Sequence, residues 1–168
     1  MGLVQVATNT VTSAVSSVTL TGIDDDSVYM VAINNYAPTS DAVDPVTRVT
    51  VSGTAQSTSN YDRAFKVLRQ GSSFQNITGT DRSQFDILTG AGTDTGEQNN
   101  AIIYCHNFNS SSDFSYITVE NVALNASSNP RGSFGGCVYT VAEAHDGLSF
   151  SFSSGNIASG TFTLYKVV

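Results

Sequence analysis

The last stretch of the chain, from Leu148 to Val168, constrains the fold more than any other part of the sequence. Two runs in it, LSFSF at 148–152 and TFTLYKV at 161–167, alternate large and small or apolar and polar side chains. Successive side chains of a β-strand point to opposite faces, so a period of two predicts half-buried strands. The residues between the runs are mainly serine, asparagine and glycine, which favour turns. The ending therefore predicts two strands of an all-β domain.

Runs of the same kind recur through the rest of the chain. They predict further strands at 15–23, 28–34, 46–52, 60–70, 85–88, 101–108, 114–124 and 134–142. In one of them, 60–70, the spacing of Tyr61, Phe65 and Leu68 also fits a helical stripe, but the surrounding strands favour a strand. The adjacent glycines Gly135 and Gly136 predict a bulge or a close approach of two backbones.

The segments between the strands are rich in turn residues. Loops are predicted at 35–45, at 71–81 and at 89–100, the last of them long, glycine-rich and exposed. No alternation of strands and helices, no heptad and no fixed repeat interrupts the pattern. Eight to ten strands at this spacing predict a two-sheet antiparallel β-sandwich or a barrel, and at this chain length a single sandwich of the jelly-roll type is favoured.

The length of 168 residues fits one domain, predicted as an arm or edge strand over 1–10 and a β-sandwich over 11–168. Charged residues make up only 12% of the chain, about half the usual share. The surface must therefore consist largely of Ser, Thr, Asn and Gly, a composition that suits a component of a rigid particle.

The net charge of −7 argues against binding to nucleic acid, because an acidic surface repels phosphates and no run of Lys or Arg offsets it. No apolar stretch approaches the roughly 18 residues that a membrane span needs. The start, MGLVQVATNT, lacks the basic region and apolar core of a secretory signal. Neither nucleic acid nor a membrane is an expected partner.

The run at 28–34 is apolar on both faces, with Val28 and Met30 on one side of the strand. Such a strand belongs in the middle of a sheet that is covered on both sides, or it forms a surface between subunits. Together with the apolar positions of the N-terminal arm, it gives the predicted interface residues: Leu3, Val4, Val6, Val28, Tyr29, Met30, Val31 and Ile33.

Metal sites are not expected. The carboxylates of Asp24, Asp25 and Asp26 could attract Ca²⁺, but consecutive residues of a turn point apart and a solvated turn is favoured. The soft ligands, Cys105, His106, Cys137 and His145, show no CxxC spacing, and adjacent residues of a strand face opposite sides. We expect no cofactor. Two reduced thiols are favoured, with a bridge between neighbouring strands left open.

Catalytic constellations are also weak. The serines lack the Gly-x-Ser-x-Gly elbow of hydrolases, and neighbours such as His145 and Asp146 cannot serve as base and orienting group. The glutamates, Glu97, Glu120 and Glu143, are not accompanied by tryptophan, a favoured platform for sugars. The sequence predicts a protein that is not an enzyme.

Two stretches resemble structural proteins of tailed-bacteriophage virions. The ending SSGNIASGTFTLYKV resembles the SGN-x-x-SG-T-x-x-LYG finish of their small β-domains, with Lys166 in place of the usual glycine. The segment VTLTGIDDDSVYMVAINNYAPTSD resembles their TGID…Y-x-V-x-x-NN-x-x-P-x-x-D segment. The resemblance implies a jelly-roll-like virion protein, often a homotrimer, that is located on the capsid or on the tail.

Two functions follow from this resemblance. The first is a capsid decoration or cement protein, which contacts copies of itself and the major capsid protein and stabilises the phage head. The alternative is a tail-associated or receptor-binding knob that binds a host surface glycan through its loops. The residues predicted for such a ligand loop are Thr93, Asp94, Thr95, Asn99 and Asn100.

Overall fold

In the computed structural model, which describes residues 2–71, 74–87 and 90–168, the chain forms an antiparallel β-sandwich. Its thirteen strands are β1 (Leu3–Val11), β2 (Val18–Thr21), β3 (Tyr29–Pro38), β4 (Pro45–Val51), β5 (Thr54–Ala55), β6 (Tyr61–Arg69), β7 (Gln75–Arg82), β8 (Phe85–Asp86), β9 (Asn99–His106), β10 (Ser115–Leu124), β11 (Pro130–Tyr139), β12 (Gly147–Phe152) and β13 (Ile157–Val167). Within the described ranges there is no helix, and hence none that could cross a membrane.

The strands form two sheets. The larger sheet has eight strands in the order β1-β13-β3-β9-β10-β11-β6-β7. The smaller sheet has the order β2-β12-β4-β5, and β8 also pairs with β4. From β1 to β4 the chain alternates between the sheets, as it does from β12 to β13, which is compatible with a jelly roll. The predicted all-β antiparallel sandwich is confirmed.

The number of strands exceeds the eight to ten that were predicted. The segment 71–81 was predicted to be a loop, yet β7 occupies most of it. This strand lies at the edge of the larger sheet and is largely exposed on both faces, so it carries no apolar alternation. The segment 60–70 is strand β6, as predicted. The ends of two other predicted segments, Leu88 and Thr89, lie outside the described residues.

The first ten residues belong to the sandwich as an edge strand. β1 pairs with β13 from Leu3 opposite Val167 to Val11 opposite Gly160, with one irregularity between Gln5 and Ala7. Of the two predicted possibilities, arm or edge strand, the structure contains the edge strand.

An aromatic cluster fills the space between the sheets. Tyr36 on β3 and Phe162 on β13 come from the larger sheet, with ring centroids 5.1 Å apart. From the smaller sheet, Phe152 approaches Tyr36 at 4.3 Å and Phe150 approaches Phe162 at 5.3 Å. The alternating ending of the chain thus supplies three of the four rings, because its apolar positions face this core.

Gly135 lies at a close approach between two backbones of the larger sheet. It lies on β11 opposite Phe65 of β6, and a Cβ atom at Gly135 would lie 2.2 Å from the carbonyl oxygen of Ala64. No side chain fits there. The predicted close approach is confirmed, and the pairing of β11 with β6 runs through it without a bulge.

A cluster of charged side chains joins the sheets near β8. The buried carboxylate of Asp86 forms ion pairs with Arg63 of β6 and with Arg82 at the end of β7. Gln84 donates an amide N–H to the other oxygen of Asp86 at 2.8 Å and accepts a hydrogen bond from Arg48 of β4 at 2.5 Å. The cluster fastens the edge of the larger sheet to the smaller one.

Candidate functional site

The outer face of the larger sheet carries an unusual set of side chains. On β10 the residues Ser115, Ile117, Val119, Asn121 and Ala123 are buried, and the intervening residues are exposed. Strand pairing places Ile102 of β9 and Phe134 of β11 on either side of Glu120. We define the apolar patch as the large exposed apolar residues of these strands and of β6: Leu68 (39% exposed), Ile102 (42%), Tyr116 (45%), Val122 (61%) and Phe134 (49%).

The charged side chains on this face are few and include Glu120, Lys66 and Asp62. Glu120 lies among the residues of the apolar patch. Lys66 lies opposite Phe134, and its ammonium group contacts the ring of Phe74, 4.6 Å from the ring centre. A set of large exposed apolar side chains on one face of a sheet is typical of sites where other proteins bind. An exposed carboxylate within it favours a partner that offers a cation or a hydrogen-bond donor at that point.

Two shallow depressions shape the same face. One, of about 440 Å³, is bordered by Ala32, Asn100, Ile102 and Val122. The other, of about 570 Å³, lies where residues with small side chains such as Ala64 and Gly136 stand beside Tyr116. The face is therefore not flat, and side chains of a partner can fit into its two depressions.

The predicted interface residues at 28–33 divide into two groups. Tyr29, Val31 and Ile33 are buried in the core at 0–2% exposure, so the prediction that they form an interface is wrong. Their face of β3 is the one that the smaller sheet covers. Val28 and Met30 point the other way, but Val28 is half-buried and Met30 only 8% exposed. The two-sided apolar run thus reflects a strand in the centre of a sheet.

The other predicted interface residues, Leu3, Val4 and Val6, are exposed on β1 by 48%, 53% and 38%. The sequence did not identify the apolar patch itself. The sequence of β10 could have indicated it. One face of this strand carries the buried residues, and the opposite face carries the large apolar residues Tyr116 and Val122 together with Glu120.

The predicted ligand loop is only partly exposed. Thr93, Asp94 and Thr95 are exposed, but Asn99 is buried and donates its amide N–H to the carbonyl oxygen of Tyr36 at 3.1 Å. Asn100 accepts a hydrogen bond from the backbone N–H of Asn35 at 3.0 Å. Asn99 therefore belongs to the core, and the prediction that it contacts a ligand is wrong.

Glu97 anchors this loop, which was predicted to be exposed throughout. Its buried carboxylate accepts hydrogen bonds from the backbone N–H of Asp94 at 3.1 Å and from the N–H and hydroxyl of Ser128 at 3.1 and 3.0 Å. Ala91 is also buried and pairs with Val43 and Asn125. Only the tip of the loop is exposed, on a fixed base.

Two carboxylates of the acidic turn at 24–26 already interact with other side chains of the protein. Asp24 accepts a hydrogen bond from the Tyr29 hydroxyl at 2.7 Å, and Asp25 forms an ion pair with Lys166. The hydrogen bond from Lys166 holds the pKa of the Asp25 carboxyl well below its usual range. Among the described residues, no three His, Cys, Asp or Glu side chains lie close enough together to hold a metal ion.

The two stretches that carry the virion-protein resemblance lie side by side. One contains β3 and the other β13, which pair from Tyr29 opposite Lys166 to Pro38 opposite Ile157. Lys166, the departure from the resembled pattern, therefore faces the acidic turn of the other stretch through its ion pair with Asp25. These residues hold the sheet and its turns together.

The cysteines cannot form a bridge in this fold. Cys105 on β9 and Cys137 on β11 both lie opposite Ile117 of the intervening strand β10, and both are buried as free thiols. Burial raises the pKa of both thiols. The favoured prediction of two reduced thiols is confirmed.

His145 is fully buried against Ser115, a contact that the sequence did not reveal. Its Nδ1 lies 2.7 Å from the Ser115 Oγ, and the Glu143 carboxylate lies 3.5 Å from Nε2. The trio resembles a nucleophile, base and acid by distance, but Ser115 is 1% exposed and no substrate can reach it. The contact between Ser115 and His145 is part of the packing of the buried core.

The buried histidine predicts a pH dependence of stability. Burial lowers the pKa of His145 from 6.5, because the imidazolium form loses its hydration, although Glu143 opposes the shift. The contribution of neutral His145 is therefore complete above about pH 6.5 and is lost as the pH falls through the lower folded-state pKa. Urea unfolding of the wild type should show decreasing stability between about pH 7 and pH 5.

The matched control is the other histidine. His106 is half-buried on the outer face, so His106→Gln should keep the pH dependence, whereas His145→Gln should flatten it. An NMR titration gives an independent reading in case His145→Gln does not fold. A ring of His145 that protonates above pH 6.5 in the wild type contradicts the assignment.

Comparisons with known proteins give no assignment to a family. No protein-family model matches the chain, and a search of curated proteins returned no match.

Proposed function

We propose that this chain is a structural protein of a virus particle, a capsid decoration protein that acts by burying surface between subunits. The observation that carries the proposal is the apolar patch on the outer face of the larger sheet. A surface with five large exposed apolar side chains and little charge is costly to leave in water, and its burial stabilises an assembly. The resemblance of the chain to virion proteins of tailed phages supports the same role.

The area of the face is sufficient for such a contact. Eight strands about 4.8 Å apart, each eight to eleven residues long, give a face of roughly 1,000 Å². A standard interface buries about 800 Å² on each partner. In this proposal the chain contacts further copies of itself, as a homotrimer, and the major capsid protein of the particle.

The location of the protein on intact particles tests the proposal directly. Immunogold labelling or tag density in electron microscopy should mark the whole head. Capsids that lack the protein should also burst at lower internal pressure or survive fewer freeze–thaw cycles. Equal resistance with and without the protein would sink the cement mechanism, and an absence of label on any particle would sink the viral role.

Substitutions in the apolar patch separate assembly from folding. Val122→Asp and Phe134→Asp should each abolish association through the apolar patch, because either carboxylate would be buried in the contact close to Glu120. Both side chains are about half exposed or more, so stability should change by no more than about 0.5 kcal/mol. Sedimentation and binding to capsids that lack the protein measure the first effect, and thermal unfolding the second.

Thr54→Asp provides the matched control, since it adds the same charge at an exposed position of the smaller sheet. It should leave association intact. Equal loss of association in Thr54→Asp and in the two patch variants would indicate that charge alone is responsible and would contradict a role for the patch.

A second function has one observation in its favour. The exposed tip formed by Thr93, Asp94 and Thr95 stands on the base fixed by Glu97, as a binding loop on a rigid scaffold does. In this alternative the protein is a tail-associated knob that binds a host surface glycan. Specific adsorption of the purified protein to host cells, lost when the three tip residues are replaced by alanine, would favour it over the decoration role.

A further inference from the structure

β1 forms a free edge of the larger sheet. It pairs with β13 on one side, and no strand of the described chain is hydrogen-bonded to the other. Free edges present unpaired N–H and C=O groups, and proteins protect them with lysines, prolines, bulges or short strands. β1 is nine residues long and contains no charged residue and no proline. Its single protection is the irregularity between Gln5 and Ala7.

The other edges of the described sheets are protected. At the opposite edge of the larger sheet, β7 contains Gly79, Asp81 and Arg82 and shows an irregularity of its own. At the edges of the smaller sheet, β2 has four residues and β5 has two. Of these four edges, β1 alone combines length with the lack of charge.

The pairing with β13 shows which backbone groups of β1 are free. Gly2 and Val168 exchange two hydrogen bonds of 2.7 and 3.0 Å, whereas the N–H of Val167 donates to Val28 on the far side of β13. Alternation in an antiparallel ladder then turns every second residue of β13 towards β1. The β1 residues that lie opposite the other residues of β13 therefore have their N–H and C=O groups directed away from the sheet. These β1 residues are Leu3, Gln5, Thr8 and Thr10.

We propose that this edge pairs antiparallel with β1 of a second copy of the chain across a two-fold axis, which joins two eight-stranded sheets into one. The charge distribution favours a copy as the occupant. The chain has a net charge of −7, yet β1 contributes nothing to it. Two copies can therefore pair here without like charges directly opposite each other, an arrangement that would be destabilising.

The symmetry and the exposed side chains agree with this pairing. An antiparallel contact between identical strands uses the same surface on both copies, so it closes as a dimer and does not continue as a fibre. It also brings a partner strand beside the exposed side chains of Leu3, Val4 and Val6. The contact is independent of the proposed particle role, because β13 and β3 separate β1 from the strands of the apolar patch.

Lysines placed on the edge test the proposal. Thr8→Lys/Thr10→Lys places two lysines on the edge of each copy, and edge lysines oppose pairing with another strand. Sedimentation of the wild type should give a mass of an even number of copies, and this variant should halve it. Thr54→Lys/Ala55→Lys is the matched control, with the same charge change at exposed positions of an edge strand of the smaller sheet, and it should keep the wild-type mass.

Amide hydrogen exchange of the same proteins locates the contact. The amides of Leu3, Gln5, Thr8 and Thr10 should exchange slowly in the wild type and quickly in Thr8→Lys/Thr10→Lys, while the amides paired with β13 stay protected in both. A monomeric wild type, a mass that the edge lysines do not change, or fast exchange of these four amides in the wild type would overturn the proposal. Protection that arises only when capsid protein is added would assign the edge to that partner.

Discussion

Replacing Asp86 with alanine is expected to lower the free energy of unfolding by about 3–5 kcal/mol, as measured by urea or thermal unfolding. The Asp86 side chain is 7% exposed and pairs with Arg63, which is 10% exposed. Without the carboxylate, a nearly buried guanidinium remains with no opposite charge to compensate it. The pair with Arg82 adds less, because that side chain is 37% exposed and solvent screens it.

Two further variants show whether the effect comes from the buried charge. Asp26→Ala removes an exposed carboxylate and should change stability by no more than about 0.5 kcal/mol. Asp86→Asn keeps an acceptor for the arginines and should fall between the two. A loss below about 1 kcal/mol in Asp86→Ala would show that the ion cluster does not hold the sheets together.

Phe162→Ala should destabilise the protein by about 3–5 kcal/mol, the usual cost of a large cavity in a core. Phe162 is fully buried and contacts Tyr36 of its own sheet and Phe150 of the smaller sheet. Its removal leaves a void between the layers that two neighbouring strands cannot close without losing their register. Chemical unfolding with tyrosine fluorescence measures the change.

Phe162→Leu and Phe134→Ala are the controls for this effect. The leucine variant keeps most of the volume and should lose considerably less stability. Phe134 is 49% exposed, so its truncation should affect stability little while it reduces association through the apolar patch. Equal losses in Phe162→Ala and Phe134→Ala would mean that the core does not depend on the aromatic cluster.

Much of the fold could be predicted because its strands are half-buried. β12 and β13 alternate as the period of two requires, since Phe150, Phe162 and Leu164 face the core. β6 was correctly predicted as a strand in spite of its helical spacing, because its neighbours in sequence were strands. The close approach at Gly135 could also be predicted, since glycine inside a strand leaves room for another backbone.

Where the pattern was absent, prediction failed for physical reasons. β7 is exposed on both faces, so burial imposes no alternation on its residues. Glu97 looked like part of an open loop, but it is buried with hydrogen bonds to Asp94 and Ser128. The second of these partners lies 31 residues away, and local sequence carries no signal for such a contact.

The interface residues show the same limit. The apolar run of β3 was consistent with an inter-subunit surface or with the centre of a sheet, and only the position of the smaller sheet decided between them. Tyr29, Val31 and Ile33 proved to face the core, whereas four of the large exposed apolar residues of the described chain lie on β9, β10 and β11. A strand pattern states which residues share a face and does not state what covers that face.

The sequence by itself determined the all-β class, the approximate position of most strands and the low charge of the surface, since each depends on local alternation or on composition. The tertiary structure alone decided which face of each strand is covered, how Asp86 and His145 meet distant partners, and where the apolar patch forms. These features depend on strand order and register, which bring together residues that are far apart in the chain.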